Sequence, residues 1–389
     1  MSVFNSIEAP PEGRSHVPDH STSRASRFAA FGAIAVLSAG AIAAPAQPAD
    51  RPAIPESNSS FLDATGTAHV TRVVPIPTTI SAEARAFLAR KPPNLGAMTL
   101  AQRRRQTDFW QAARAARFEE RYPVRVSERT MGGVPVRIVA PLDIPAENRG
   151  RVLINLHGGG FDSDSGSLTE TVPIANLTRT KVVAVLYRLQ PEHPFPAQID
   201  DAIAVYRHLL ERYQPRHICI YGTSAGAILT PQVAVRLRQL GLPLPGCLGV
   251  FSGVGDFSQR GDSQAIFGLF GLSGPLGLPR DPPRGAGAGT AKPAPVNLKD
   301  PLRSPLYADL RGFPPTLFIS SERDMLLSGT TILHRAFLRA GVDARLVVFE
   351  GLPHAFWNHP GLPETNEADE IMAAFFDRHL GHRSGSPRS

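Results

Sequence analysis

Residues 221–230 read YGTSAGAILT. Ser224 stands between Thr223 and Ala225, and Gly222 and Gly226 flank that trio. Upstream, HICI (217–220) is a short apolar run of strand type, and downstream AGAILTPQVAVRLRQL (225–240) carries helical periodicity. A sharp strand-to-helix corner holds a hydroxyl out into open space, and it tolerates only small residues two places either side of the serine. The same corner brings the N–H of Ala225 to the start of a helix, aimed at developing negative charge. Nucleophilic serine chemistry needs both features, and it also needs a base for the hydroxyl proton.

Around this corner the chain alternates strands and helices. VRVSERT (124–130), VPVRIVA (134–140), RVLINLH (151–157), KVVAVLY (181–187), HICIYG (217–222), GCLGVFSG (246–253), PTLFISS (315–321) and ARLVVFEG (344–351) read as strands. Helical patterns fall at 200–213, 225–241, 329–341 and 367–380. Short apolar strands between amphipathic helices predict an α/β class with a mostly parallel central sheet and helices on both faces. Two more helices are predicted at 81–91 and 100–122, forming an N-terminal segment over 75–122. A Gly/Pro-rich stretch at 255–300 interrupts the alternation, and insertions of that length are usually lids or binding elements. It contains QAIFGLFGLSGPLGLP (264–279), whose glycines argue against a well-formed amphipathic helix. Phe267 and Phe270 in that run, with Phe161 further upstream, are the candidate acyl-pocket residues. Residues 47–74 and the tail 382–389 read as extended or disordered.

Further signals follow the strands. HGGGF (157–161) comes directly after RVLINL, and consecutive glycines let backbone N–H groups approach a ligand closely. Gly158 and Gly159 are the candidates to complete an oxyanion hole with Ala225, while His157 is read as bracing the loop. No G-K-[ST] follows, which counts against a phosphate cradle. A base and its orienting acid should come later in the chain, each just after a strand. Asp324 follows PTLFISS, with Glu322 as the rival acid, and His354 follows ARLVVFEG, with His359 as the rival base.

The whole-chain properties exclude other classes. The 389 residues are 42% hydrophobic and 19% charged, as in a globular protein, with formal net charge +7. The basic residues are nearly all arginines and are scattered, apart from Arg103-Arg104-Arg105, so nucleic-acid binding is not expected. Residues 28–44, FAAFGAIAVLSAGAIAA, carry no charge and lead to Ala44-Pro45-Ala46, the pattern of a secretory signal spanning 1–46 and cleaved after Ala46. Such a run is short for a membrane span, so export with no stable membrane partner is the expectation. Cys219 and Cys247 lie in apolar strands and read as two separate buried thiols, with pairing as the alternative in an exported chain. Neither has a metal-ligand spacing.

Together, HGGGF, YRLQPEHPFP (187–196), GTSAG (222–226), Asp324 and His354 resemble the hormone-sensitive lipase-like esterases, bacterial family IV, in the GTSAG-type subgroup. The resemblance spans residues 75–381. It implies an α/β-hydrolase fold over 123–381, with a helical cap built from 75–122 and the insertion at 255–300. It further implies Ser224 as nucleophile, His354 as base, Asp324 as its partner, and Gly158, Gly159 and Ala225 as oxyanion donors. Tyr187, Arg188, Glu192, His193 and Pro194 match a motif that holds the loop behind the site. The implied activity is hydrolysis of small carboxylic esters of short to medium acyl chain through an acyl-enzyme, with no metal and no organic cofactor. A homodimer is compatible with this reading. An amidase or acyl transferase would use the same triad, and a non-catalytic receptor on the same fold would show a damaged one. Thr223 replaces a commoner aspartate, Gln190 a usual alanine, and Ser328 a second aspartate after Asp324.

Overall fold

The computed structural model describes residues 59–90, 98–268 and 296–381. The chain divides into two units, Met1–Val73 and Val74–Ser389. Within the first, β1 (Ser59–Leu62) and β2 (Ala68–Thr71) form an antiparallel hairpin where the sequence reading expects an extended lead. Its turn is closed by the Asp63 carboxylate, which accepts from the backbone N–H groups of Thr65 and Thr67 and contacts His69 at 2.9 Å. The expected signal (1–46), Phe270 and the tail lie outside the described residues.

The second unit opens with α1 (Ala82–Leu88) and α2 (Leu100–Arg121), followed by β3 (Val124–Met131), β4 (Val134–Pro141) and β5 (Val152–Leu156). Each of the two helices starts where a side chain takes an orphan N–H: Ser81 caps α1, and Thr99 with Gln102 forms a capping box on α2. Then come α3 (Val172–Leu177), β6 (Val182–Val185), α4 (Ala197–Leu210), β7 (Ile218–Thr223), α5 (Ala225–Gln239), β8 (Cys247–Phe251) and α6 (Asp262–Phe267). The chain closes with β9 (Thr316–Arg323), α7 (Leu327–Arg339), β10 (Ala344–Pro353) and α8 (Pro363–His379). All eight strands expected from the sequence pair into one sheet, ordered β10-β9-β8-β7-β5-β6-β4-β3. The five pairings from β6 to β10 are parallel, and β3 and β4 are antiparallel.

Side chains that alternate along each strand serve two cores. Val152, Ile154, Leu156, Ile218 and Ile220 pack with residues of α4, α5 and α7 on one face. Leu153, Tyr221, Phe251 and Ile319 pack with residues of α3 and α8 on the other. Burial on both faces explains why these strands read as continuous apolar runs. The order reverses at β5, whose neighbours are β6 on one side and β7 on the other. Ligands of open parallel sheets bind outside the carboxyl ends of strands at such a reversal. Leu156 faces Gly222 across this pair, so the HGGG loop and the Ser224 corner emerge side by side.

The expectation of two separate thiols is corrected here. Register sets Cys219 opposite Cys247 on β7 and β8, with Cα atoms 4.7 Å apart, and the two are joined in a disulfide. That spacing lies within the reach of a disulfide. Strand composition carries no register, so the reading of each cysteine in its own run missed the pair. The insertion also departs from its expectation, because QAIF belongs to α6, which ends at Gly268. Ser263 and Ser328 dock that helix on the start of α7, each backbone N–H donating to the other's hydroxyl at 3.0 and 2.9 Å.

Candidate active site

Ser224 is the N-cap of α5 at φ 56°, a conformation held because the surrounding structure determines it. Its own N–H donates to the Phe251 carbonyl at 3.0 Å, and its side chain makes no cap hydrogen bond. Gly222 and Gly226 are required by close approach. A Cβ on either would overlap the Leu156 carbonyl oxygen at the end of β5. The corner is therefore wedged against the strand that launches the HGGG loop.

Asp324 and His354 are brought together. His354 Nδ1 lies 2.8 Å from Asp324 Oδ1, with relative exposures of 8% and 0%. Asp324 Oδ1 also accepts from the Leu326 N–H at 2.8 Å, and Oδ2 accepts from Ser320 at 2.8 Å and from Ser252. Burial alone would push the Asp324 carboxyl up. The charge and hydrogen bond of His354, with donors from Ser252 and Leu326, outweigh burial and hold it below the usual value. An ionised carboxylate only accepts, so Nδ1 carries the proton and Nε2 keeps the lone pair that can take another. Ser321 fixes the base-bearing loop by donating to the Pro353 carbonyl at 3.1 Å.

The rivals lie elsewhere. Glu322 is exposed, and a hydrogen bond with Glu350 raises its pKa. His359 meets Phe87 with tilted rings at 4.6 Å, and burial with the nearby charges of Arg114 and Arg90 depresses its pKa to about 3.

The oxyanion loop requires one correction. The Gly158 N–H, a candidate donor to substrate, donates instead to Glu170 Oε1 at 3.0 Å inside the protein. Among the described residues, no hydrogen bond takes the N–H of Gly159 or Gly160, whose φ values of 115° and 64° need glycine. The N–H groups left without a hydrogen bond in this loop, among the described residues, are those of Gly159 and Gly160, one residue on from the Gly158 and Gly159 of the sequence assignment. Nothing in a run of three glycines distinguishes the one turned inward.

Supporting groups surround this loop. His157 stacks on Tyr187 at 4.1 Å, and the Tyr187 hydroxyl donates to the His157 carbonyl at 2.6 Å, which agrees with their expected bracing roles. Arg188 is paired with Asp201, and Glu192 with Arg104 of α2. Phe161 packs partly buried against the α4–α5 face of the core, and Phe267 is half-buried in α6. Sequence reasoning missed Asn155, Glu170, Ser252, Ser320 and Trp357. They carry no motif, and their partners are 4 to 134 positions away. A buried Glu beside an apolar helix start was the one available signal.

Residues 153–358 match the family described as the alpha/beta hydrolase fold. The chain is 34% identical over 238 residues to an acetyl-hydrolase of Streptomyces hygroscopicus, covering 59% of this chain and 77% of the relative. It is similar to a solved esterase structure at 31% identity and TM-score 0.66, covering 80% of this chain and 98% of that one. It is also similar to a solved esterase from the bacterial hormone-sensitive lipase family, at 28% identity and TM-score 0.61, covering 74% and 93%.

Proposed function

We propose, for a chain that belongs to the alpha/beta hydrolase fold family in its hormone-sensitive lipase-like branch and that hydrolyses carboxylic esters, the following division of labour. Ser224 Oγ attacks the ester carbonyl while His354 Nε2 takes its proton. Asp324 holds the imidazole in that tautomer and stabilises the imidazolium. The tetrahedral oxyanion is met by the N–H groups of Gly159, Gly160 and Ala225. Collapse breaks the C–O bond, and His354 returns the proton to the departing alcohol. Water, deprotonated by the same imidazole, then releases the acid from the acyl-serine.

The observation that carries this reading is the His354–Asp324 hydrogen bond at 2.8 Å, built at the same edge of the sheet as the corner that holds the half-buried Ser224. Acyl groups at the short end of the range are favoured, in keeping with the acetyl-hydrolase among the relatives. The test is steady release of nitrophenol from p-nitrophenyl acetate by wild type, and its loss on Ser224→Ala by on the order of 10⁶ in kcat. Wild-type turnover in a folded Ser224→Ala protein would remove the serine from the mechanism.

The subgroup and the compartment belong to the same proposal. Thr223, as the second residue of GTSAG, supports membership of the GTSAG-type subgroup. Export is supported by the uncharged run 28–44 and by the Cys219–Cys247 disulfide, a bond of oxidising compartments. Sequencing of the mature N-terminus should begin at Gln47, and cytosolic protein that keeps its first 46 residues would refute export.

A further inference from the structure

A buried carboxylate that the acyl-transfer steps do not use lies behind the glycine loop. Glu170 is 4% exposed and forms no salt bridge among the described residues. Its Oε1 accepts from the Gly158 N–H at 3.0 Å, and its Oε2 accepts from Asn155 Nδ2 at 2.9 Å. The Thr223 side chain lies beside it and favours its charged form. The space around it is tight, since a Cβ on Gly166 would overlap Oε1. The backbone carbonyl of Glu170 is itself held, accepting from the Tyr221 hydroxyl of β7 at 2.9 Å.

The donor order in this cluster is determined by chemistry. Trp357 Nε1 can only donate, and it does so to Thr223 Oγ1 at 3.1 Å. The Thr223 hydroxyl therefore keeps its own proton to offer to the neighbouring Glu170, whose Oε1 already accepts from Gly158. Neighbouring polar groups thus run from the loop of His354, through the residue before Ser224, to Glu170 and the first glycine of the oxyanion loop. Gly158 gives up its N–H to Glu170, while the N–H groups of Gly159 and Gly160 take no hydrogen bond among the described residues.

We infer that Glu170 is a positioning residue for the esterase reaction: through Gly158 and Thr223 it locks the oxyanion loop in register with the nucleophile corner. The inference rests on the roles proposed above for Ser224 and the glycine loop. It also accounts for threonine at 223, because an aspartate there would bring a second carboxylate against Glu170 and no proton to share. What Glu170 must supply is an acceptor rather than a charge. Asn155 Oδ1 is buried without a partner, so a glutamine at 170 can keep its oxygen on Gly158 and donate its amide to Asn155 after a flip of that side chain. The rise of the Glu170 carboxyl to about 7 through burial agrees with an acceptor that does not depend on its charge.

The experiment compares Glu170→Ala, Glu170→Gln and Thr223→Val in the full chain. Active sites are counted by stoichiometric nitrophenol release from diethyl p-nitrophenyl phosphate, turnover is measured on p-nitrophenyl acetate, and phenylboronic acid serves as the tetrahedral analogue. Glu170→Ala should lower kcat per counted site by on the order of 10²-fold, the cost of a misplaced oxyanion donor, with KM within about threefold. Phenylboronate affinity should fall by a comparable factor. Glu170→Gln should recover kcat to within about tenfold of wild type, and Thr223→Val should fall between the two. A purely structural glutamate would lower the number of active sites and leave kcat per site and boronate binding at wild-type values; that result overturns the inference. So does a folded Glu170→Gln as impaired as the alanine variant. If the alanine variant does not fold, Thr223→Val decides, and wild-type kcat and boronate affinity there overturn the inference. Ser224→Ala, run alongside, separates the two levels, because full turnover in that variant refutes the proposed site whatever the Glu170 variants do.

Discussion

Trp357, on the loop that carries His354, donates its indole N–H to the hydroxyl of Thr223, the neighbour of Ser224. The base and the nucleophile therefore share a hydrogen bond between their supporting residues. Trp357 also meets Phe251 and Phe356 edge-on, at 6.3 and 5.1 Å, so its ring is set by packing.

Trp357→Phe keeps most of that ring area and removes the N–H. It should cost about 1 kcal/mol of stability for the lost buried bond. Turnover should fall by several-fold, because the imidazole is then less well placed over the corner. Thermal denaturation and p-nitrophenyl acetate kinetics check both, and unchanged kcat would restrict the bond to stability.

Asp324→Asn should lower kcat by on the order of 10⁴ while leaving the fold intact, since an amide at that position no longer favours the productive tautomer of the imidazole. Glu322→Gln, on an exposed side chain paired with Glu350, should stay within about threefold of wild type. If the glutamine variant were the more damaging of the two, the acid would be misassigned.

Glu170 makes a prediction for stability against pH. Its pKa is raised from an ordinary 4.5 to about 7 by burial. A raised carboxyl contributes its stability fully below the unfolded value, and that contribution is lost as pH climbs through the folded value. Wild type should therefore lose about 3 kcal/mol from this group between pH 4.5 and 7, a loss that Glu170→Gln escapes. The stability of the glutamine variant relative to wild type should rise across that window and level off above it. Urea denaturation at pH 4, 6 and 8 measures the difference, and a constant difference would mean that Glu170 is ionised throughout.

Phe267 tests the cap. If it lines the acyl pocket, each methylene of substrate adds about 0.8 kcal/mol until the pocket is full. Phe267→Ala should move the chain-length cutoff of p-nitrophenyl esters toward longer acyl groups and leave the acetate nearly unaffected. An unchanged profile in a stable variant would leave Phe267 only its packing in α6.

From the sequence alone, the class of the fold and the positions of its strands were determined, because burial on both faces of a parallel sheet forces apolar runs that repeat between amphipathic helices. Ser224, Asp324 and His354 were legible for a related reason. Their chemistry needs a hydroxyl, an acid and an imidazole just past strand ends, and strand ends show in the pattern. What the sequence did not determine is which atoms meet across strands. The Cys219–Cys247 bond depends on register, the exclusion of Glu322 and His359 on where each side chain turns, and the shift of the oxyanion donors to Gly159 and Gly160 on a single N–H claimed by Glu170. Each of these is a contact between residues distant in the chain, and local pattern carries no information about such contacts. Only the assembled sheet, with β5 beside β7, brings Glu170, Thr223 and Trp357 together.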